Sequence, residues 1–111
     1  MTKEGVSEAV LSALADLERA FGAAVSAIDA EPDHNRAYDG ATELVETVRR
    51  LFEASADQRA LSAARIFEQE RMSLAGLADR IGVSKARAAQ LIKTAKDAHG
   101  QRGNATEENG D

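Results

Sequence analysis

The sequence predicts an all-α protein: an N-terminal helical hairpin followed by a trihelical unit. Alanine, the residue with the lowest cost in a helix, accounts for 23 of the 111 residues. Aromatic residues, which favour strands, make up 4% of the chain, and there is one proline. Apolar residues recur three or four positions apart along most of the chain, which is the period of an amphipathic helix. The length suits one domain or two very small ones.

The first predicted helix spans residues 7–30. Its apolar residues alternate spacings of four and three, as in a coiled-coil seam. We expect this seam to form a homodimer interface, with packing inside the same chain as the alternative. The proposed dimer residues are Val10, Leu14, Leu17, Phe21 and Ile28, with Ala24 between the last two.

A second helix is predicted over residues 40–54, after a connection of about nine residues that contains Pro32. Ser55 and Gln58 have the spacing of a capping box, which predicts a new helix over residues 55–70. That segment could instead continue the second helix with a kink. The predicted domains are therefore an N-terminal hairpin (1–54), a trihelical unit (55–99) and a disordered polar tail (100–111).

Two short helices complete the trihelical unit, over residues 74–81 and 85–98. Ser73 and Ser84 are the expected N-caps, and Gly82 is expected to end the first helix in a left-handed conformation. Ala78 is small enough to let the two helices approach closely. The remaining inward-facing residues are predicted to be Leu74, Leu77, Ile81, Val83, Ala88, Leu91 and Ile92.

This region resembles a known DNA-binding element. The segment Ser73-Leu-Ala-Gly-Leu-Ala-Asp-Arg-Ile-Gly-Val-Ser84, followed by Arg87-Ala-Ala-Gln90-Leu, is similar to the helix-turn-helix of bacterial transcription regulators, above all the region-4-type domain of sigma factors. The resemblance covers residues 57–98. Gly76 stands where that family has an acidic residue. The resemblance implies that the helix after Ser84 enters the DNA major groove.

The charge distribution agrees with this interpretation although the net charge is −5. Residues 1–83 carry nine Lys and Arg against fifteen Asp and Glu, whereas residues 84–102 carry five against one. Because local fields matter more than the total for binding an anion, the segment 84–102 is the expected contact with double-stranded DNA.

Individual contacts follow from the chemistry of DNA. Gln90 can bond adenine in bidentate fashion, Ala86 and Ala89 can contact a thymine methyl group, and the basic residues suit phosphate or guanine. Backbone N–H groups at the start of the helix can also hold a phosphate. The predicted DNA-binding residues are Ser84, Lys85, Ala86, Arg87, Ala89, Gln90, Lys93 and Lys96.

Other chemistry is not expected. The absence of cysteine excludes disulfides, and His34 and His99 lack a second ligand three or four residues away, so we expect no metal. No phosphate loop or nucleophile constellation occurs, so we expect neither catalysis nor a cofactor. The N-terminus lacks a signal-peptide layout and no apolar run suits a membrane span, so we expect a cytoplasmic protein.

Two functions remain open at this point. The first is a sequence-specific transcription regulator that binds DNA, most simply as a dimer. The second is an adaptor or antitoxin-like protein whose acidic N-terminal helices bind a partner, with weak DNA binding or none. The hairpin could also bind RNA polymerase or another regulator.

Overall fold

Four helices make up the described chain. The structure, a computed structural model, describes the backbone of residues 5–110 and the side chains of residues 5–100. No strand occurs within residues 5–110, so the predicted all-α class is confirmed. The helices are α1 (Glu8–Asp29), α2 (His34–Gln69), α3 (Leu74–Ile81) and α4 (Lys85–Gly110).

The chain divides into two compact units, Met1–Arg49 and Arg50–Asp111, and α2 contributes to both. The domain limits predicted from the sequence, 1–54, 55–99 and 100–111, stay predictions. We call the two units the N-terminal unit and the C-terminal unit.

In the N-terminal unit, Ser7 caps the start of α1, and its Oγ accepts a hydrogen bond from the Val10 N–H at 3.2 Å. Leu11, Val25 and Ile28 are half-buried. A Cβ placed on Gly40 would lie 3.3 Å from Cγ1 of Ile28. The end of α1 and the start of α2 therefore approach so closely that a larger residue at position 40 would displace Ile28.

The helix α2 begins earlier than predicted, at His34 instead of residue 40. Asp33 is the physical reason. Its Oδ1 accepts hydrogen bonds from the Asn35 N–H at 2.8 Å and the Arg36 N–H at 3.3 Å. These bonds satisfy donors that a helix start leaves without partners. The predicted nine-residue connection is therefore wrong, and only residues 30–33 separate α1 from α2.

The predicted helix start at Ser55 is also wrong, because α2 runs through this position. The Ser55 Oγ donates to the Leu51 carbonyl at 2.6 Å, as a serine inside a helix does, and does not cap a new helix. Residues 41–69 contain neither glycine nor proline, so nothing in the sequence interrupts the helix. The alternative, that this segment continues the second helix, is confirmed, and the kink proposed with it stays a prediction.

The predicted caps and turn around α3 are confirmed. The Ser73 Oγ accepts from the Gly76 N–H at 3.0 Å, and the Ser84 Oγ accepts from the Arg87 N–H at 3.1 Å. Gly82 has φ 73° and ψ 37°, the left-handed conformation. The Val83 N–H then bonds the Ala78 carbonyl at 2.9 Å, which closes the end of α3.

The connection between α2 and α3 contains two features that the sequence did not predict. Arg71 has a φ of 48°, a left-handed conformation that is costly for a residue with a side chain. An ion pair joins Arg80 of α3 to Glu70 at 2.6 Å. The Glu70 carboxylate raises the pKa of the Arg80 guanidinium by hydrogen bonding and by its charge.

The core of the C-terminal unit consists mainly of small side chains. Leu77 is the largest fully buried residue, and it clusters with Ala78 and Ala88. A second cluster joins Ala60 and Ala63 of α2 to Leu91 and Ala95 of α4. Half-buried residues extend these clusters: Leu61, Ala64, Ile66, Phe67, Met72, Ile81, Val83 and Ile92.

The helix α4 extends to Gly110, whereas the sequence predicts its end near Ala98 and a disordered tail over residues 100–111. Each residue added to an existing helix gains a hydrogen bond without a new nucleation cost. A polar, non-periodic segment can therefore continue a helix that packing has already formed. Residue 111 and the side chains after Gly100 lie outside the described part.

Leu77→Ala is expected to lower the free energy of unfolding by about 2–5 kcal/mol, because it leaves a cavity at a fully buried position. Urea denaturation followed by circular dichroism measures the change. The control Leu51→Ala, at a side chain that is 46% exposed, should change it by less than about 1 kcal/mol. Equal effects at the two positions would contradict the described core.

Alanine substitutions at two glycines are expected to act in opposite directions. Gly82→Ala should destabilise by about 1 kcal/mol, since its backbone is left-handed although the space around it is open. Gly22→Ala should stabilise by up to about 1 kcal/mol, because Gly22 lies inside α1 with nothing within 4 Å of an added Cβ. Thermal unfolding measures both, and a stabilising Gly82→Ala would rule out the left-handed turn.

Candidate functional site

One side of α4 is packed inside the C-terminal unit. Ala88 is 0% exposed, and Leu91 and Ala95 are 5% and 4% exposed. Leu91 and Ala95 pack against alanines of α2, and Ala88 packs beside Leu77 of α3. Because alanine side chains are short, α4 lies close to both helices. This packing fixes which side of α4 is presented outward.

The remaining surface of α4, which we call the outer side, is exposed and mostly polar. It comprises all the residues predicted to bind DNA apart from the cap Ser84, which is itself exposed. The structure brings these side chains together over three turns that begin at the capped end of the helix. The exposed residues of the outer side are Lys85, Ala86, Arg87, Ala89, Gln90, Lys93 and Lys96.

The cations of the outer side have no acidic partner among the described residues. Lys85, Arg87, Lys93 and Lys96 form no ion pair there. Elsewhere in the same part of the chain, Arg19 pairs with Asp16, Arg49 with Glu46 and Arg80 with Glu70. The positive charge on α4 is thus available to an external anion. Arg102, which adds to the charge of this segment, has no described side chain.

Two residues of the outer side have short side chains. Ala86 and Ala89 are exposed and lie within about one turn of the exposed Gln90. Methyl groups at these positions let another surface come close to the helix backbone. A Gln side chain offers both a donor and an acceptor from one planar group. The arrangement can therefore form both hydrogen bonds and ionic contacts with an external surface.

Sequence reasoning missed one basic residue near this site. Arg59 of α2 is exposed and lines a cleft of the C-terminal unit together with Arg87 of α4. Arg59 lies outside the basic segment 84–102, and the sequence alone does not show that α2 packs beside Arg87. The other residues of this cleft are Ser62, Ala63, Ile66, Ile81, Val83 and Leu91.

The two units differ sharply in charge. Residues 1–49 contain four Lys and Arg against ten Asp and Glu, whereas residues 50–111 contain ten against nine. The acidic balance of the whole chain thus arises in the N-terminal unit. The C-terminal unit is close to neutral overall, and four of its cations, which have no ion-pair partner among the described residues, lie together on α4.

The N-terminal unit exposes most of the predicted dimer residues. Val10, Leu14, Leu17 and Phe21 are each 47–51% exposed and form a stripe along α1. We call these four residues the α1 stripe. Ile28 differs from them, because it is half-buried and lies against Gly40. Further apolar side chains are exposed on α2, namely Tyr38, Val45, Val48, Leu51 and Phe52.

The described residues contain no group of three His, Asp or Glu side chains that could hold a metal ion. His34 and His99 are both exposed. Among the described residues, none of the helices has the length and apolar character that crossing a membrane requires.

Compared with known proteins, the chain matches no protein-family model, no curated protein and no solved structure.

Proposed function

We propose that the protein is a sequence-specific DNA-binding regulator of transcription, in which α4 enters the major groove. The observation that carries this proposal is the two-sided character of α4. One side packs through Ala88, Leu91 and Ala95, and the other presents four cations without ion-pair partners among the described residues. Double-stranded DNA is a polyanion, and neutralising its phosphates releases counterions and drives binding.

The local arrangement supports a helix-turn-helix within a trihelical unit. Such a motif needs two helices that meet at a tight turn, with small residues where the helices touch. Here α3 has eight residues, Gly82 forms a left-handed turn, and Ala78 and Ala88 belong to one buried cluster. The C-terminal half of α2, which supplies Ala60 and Ala63, is the third helix of the unit.

The contacts within this proposal follow the order of residues on α4. Ser84 and Lys85 bring backbone N–H groups to a phosphate at the start of the helix. Gln90 bonds an adenine edge, and Ala86 and Ala89 allow the helix to approach the bases or contact a thymine methyl group. Arg87, Lys93 and Lys96 contact phosphates or guanine.

A dimer would make this binding tighter. A single module of this kind buries only about 600–1,000 Å² of protein surface on DNA, and regulators commonly use two half-sites about 34–36 Å apart. The half-exposed α1 stripe supports pairing with a second copy. At about 100° per residue, Glu8 and Asp16 project from the far side of α1, whereas Glu18 borders one edge of the stripe. Ala13 and Ala20 follow one edge and permit close packing.

The second function, an adaptor or antitoxin-like protein, is favoured by a different observation. The N-terminal unit combines a strong acidic excess with exposed apolar side chains on α1 and α2. Exposed apolar patches rimmed by polar residues commonly mark protein-binding surfaces. If the protein has this second function, the N-terminal unit binds RNA polymerase, another regulator or an unrelated partner.

Gln90→Ala and Lys93→Ala test the proposed DNA contacts separately. Gln90→Ala should reduce discrimination between a selected site and random DNA by about 1–3 kcal/mol, because a base contact is lost. Lys93→Ala should weaken binding to both DNAs about equally if it contacts phosphate, and should lower the slope of log affinity against log salt by about 0.9. Fluorescence anisotropy at several salt concentrations measures these quantities.

The same titration separates the two functions. A regulator with three or four phosphate contacts per chain should give a wild-type slope near −3. Negligible binding at low salt would favour the adaptor. Unchanged affinities in both variants, with wild-type binding intact, would mean that another surface binds DNA.

Leu14→Glu tests the dimer. We expect this variant to shift a concentration-dependent dimer to monomer, because it places a charge in the middle of the α1 stripe. Ser12→Glu is the matched control, since it adds the same charge to an exposed position of the same helix outside the stripe. Light scattering after gel filtration measures the mass. A wild-type monomer at micromolar concentration would refute pairing through α1.

A further inference from the structure

A basic cleft lies beside α4 in the C-terminal unit. Arg59 of α2 and Arg87 of α4 line it together, and Ile81 and Val83 contribute from the end of α3 and the turn. On α2, Arg59, Ser62 and Ile66 are three and four residues apart and so follow one row of the helix. On α4, Arg87 lies one turn before the buried Leu91. Packing of α2 and α4 thus brings two arginines from separate helices to one cleft.

The cleft contains no charge that compensates these arginines. Its other lining residues are apolar, except for the hydroxyl of Ser62. Both arginines are exposed, and neither forms an ion pair with a described residue. Two positive side chains at one cleft attract an anion. A guanidinium binds phosphate oxygens through paired N–H donors, so phosphate is the chemically matched anion.

The position of the cleft relative to the outer side of α4 suggests which phosphate this is. Arg87 and Lys96 are nine residues apart, so at about 100° per residue they project from opposite flanks of α4. A helix in the major groove has one sugar-phosphate backbone along each flank. Arg87 and Arg59 would then face one backbone, and Lys85 and Lys96 the other.

We propose that Arg59 and Arg87 together bind a phosphate of the DNA backbone, so that α2 holds α4 in register in the groove. This inference rests on the proposed function. It adds a contact from outside the basic segment and assigns Arg59 to positioning, not to base recognition. Ser62 offers a further hydroxyl donor at the same cleft.

The test compares Arg59→Gln with Arg36→Gln in the full chain, on a duplex recovered by selection from random DNA. Both variants remove one positive charge from an exposed position of α2, but Arg36 belongs to the N-terminal unit. Arg59→Gln should lower affinity roughly tenfold at about 0.1 M salt, reduce the salt slope by about 0.9 and leave sequence preference unchanged. Arg36→Gln should leave affinity and slope near the wild-type values.

A third variant, Arg59→Lys, should recover the slope but only part of the affinity, because lysine keeps the charge without the paired donors. Circular dichroism checks that all variants keep the wild-type helix content. Wild-type slope and affinity in Arg59→Gln would overturn this inference while leaving the proposed function intact. Equal losses in Arg59→Gln and Arg36→Gln would also overturn it. A wild-type chain that recovers no DNA would overturn both.

Discussion

The close packing of α4 on α2 and α3 is the constraint on which the candidate site depends. The buried residues of this contact are all alanine or leucine, and Ala60, Leu77 and Ala88 are fully buried. Interiors pack densely, so a small residue at a helix contact sets the distance between the helices. The side of α4 that faces inward is thereby fixed, and so is the polar side that faces outward. Gly82 completes the constraint, since its left-handed backbone sets the direction in which α4 leaves α3.

Several parts of the fold followed from local chemistry. Ser73, Gly82 and Ser84 have side chains or backbone freedom that match a cap or a turn, and the structure gives each of them the predicted role. The buried side of α4 was also predictable, because Ala88 and Leu91 recur with the helical period. These predictions needed only neighbouring residues, which explains their success.

The errors arose where two local signals competed. Ser55 and Gln58 have the spacing of a cap, yet the same residues are good enough helix formers to continue α2. Asp33 falls within the predicted nine-residue connection, although an aspartate after a proline can equally start a helix. Arg71 offered no signal at all, because arginine rarely adopts a positive φ. The role of Arg59 depends on how α2 packs on α4, and a sequence pattern does not contain that information.

The most direct measurement of the central claim is an NMR titration of the isotopically labelled full chain with a duplex recovered from random DNA by selection. The account predicts that amide chemical shifts change most in residues 84–96. The shifts of buried residues in α2 and α3, and of residues along α1, should change little when the duplex carries one half-site. Largest changes along α1, or failure to recover any duplex, would contradict the claim that the outer side of α4 binds DNA.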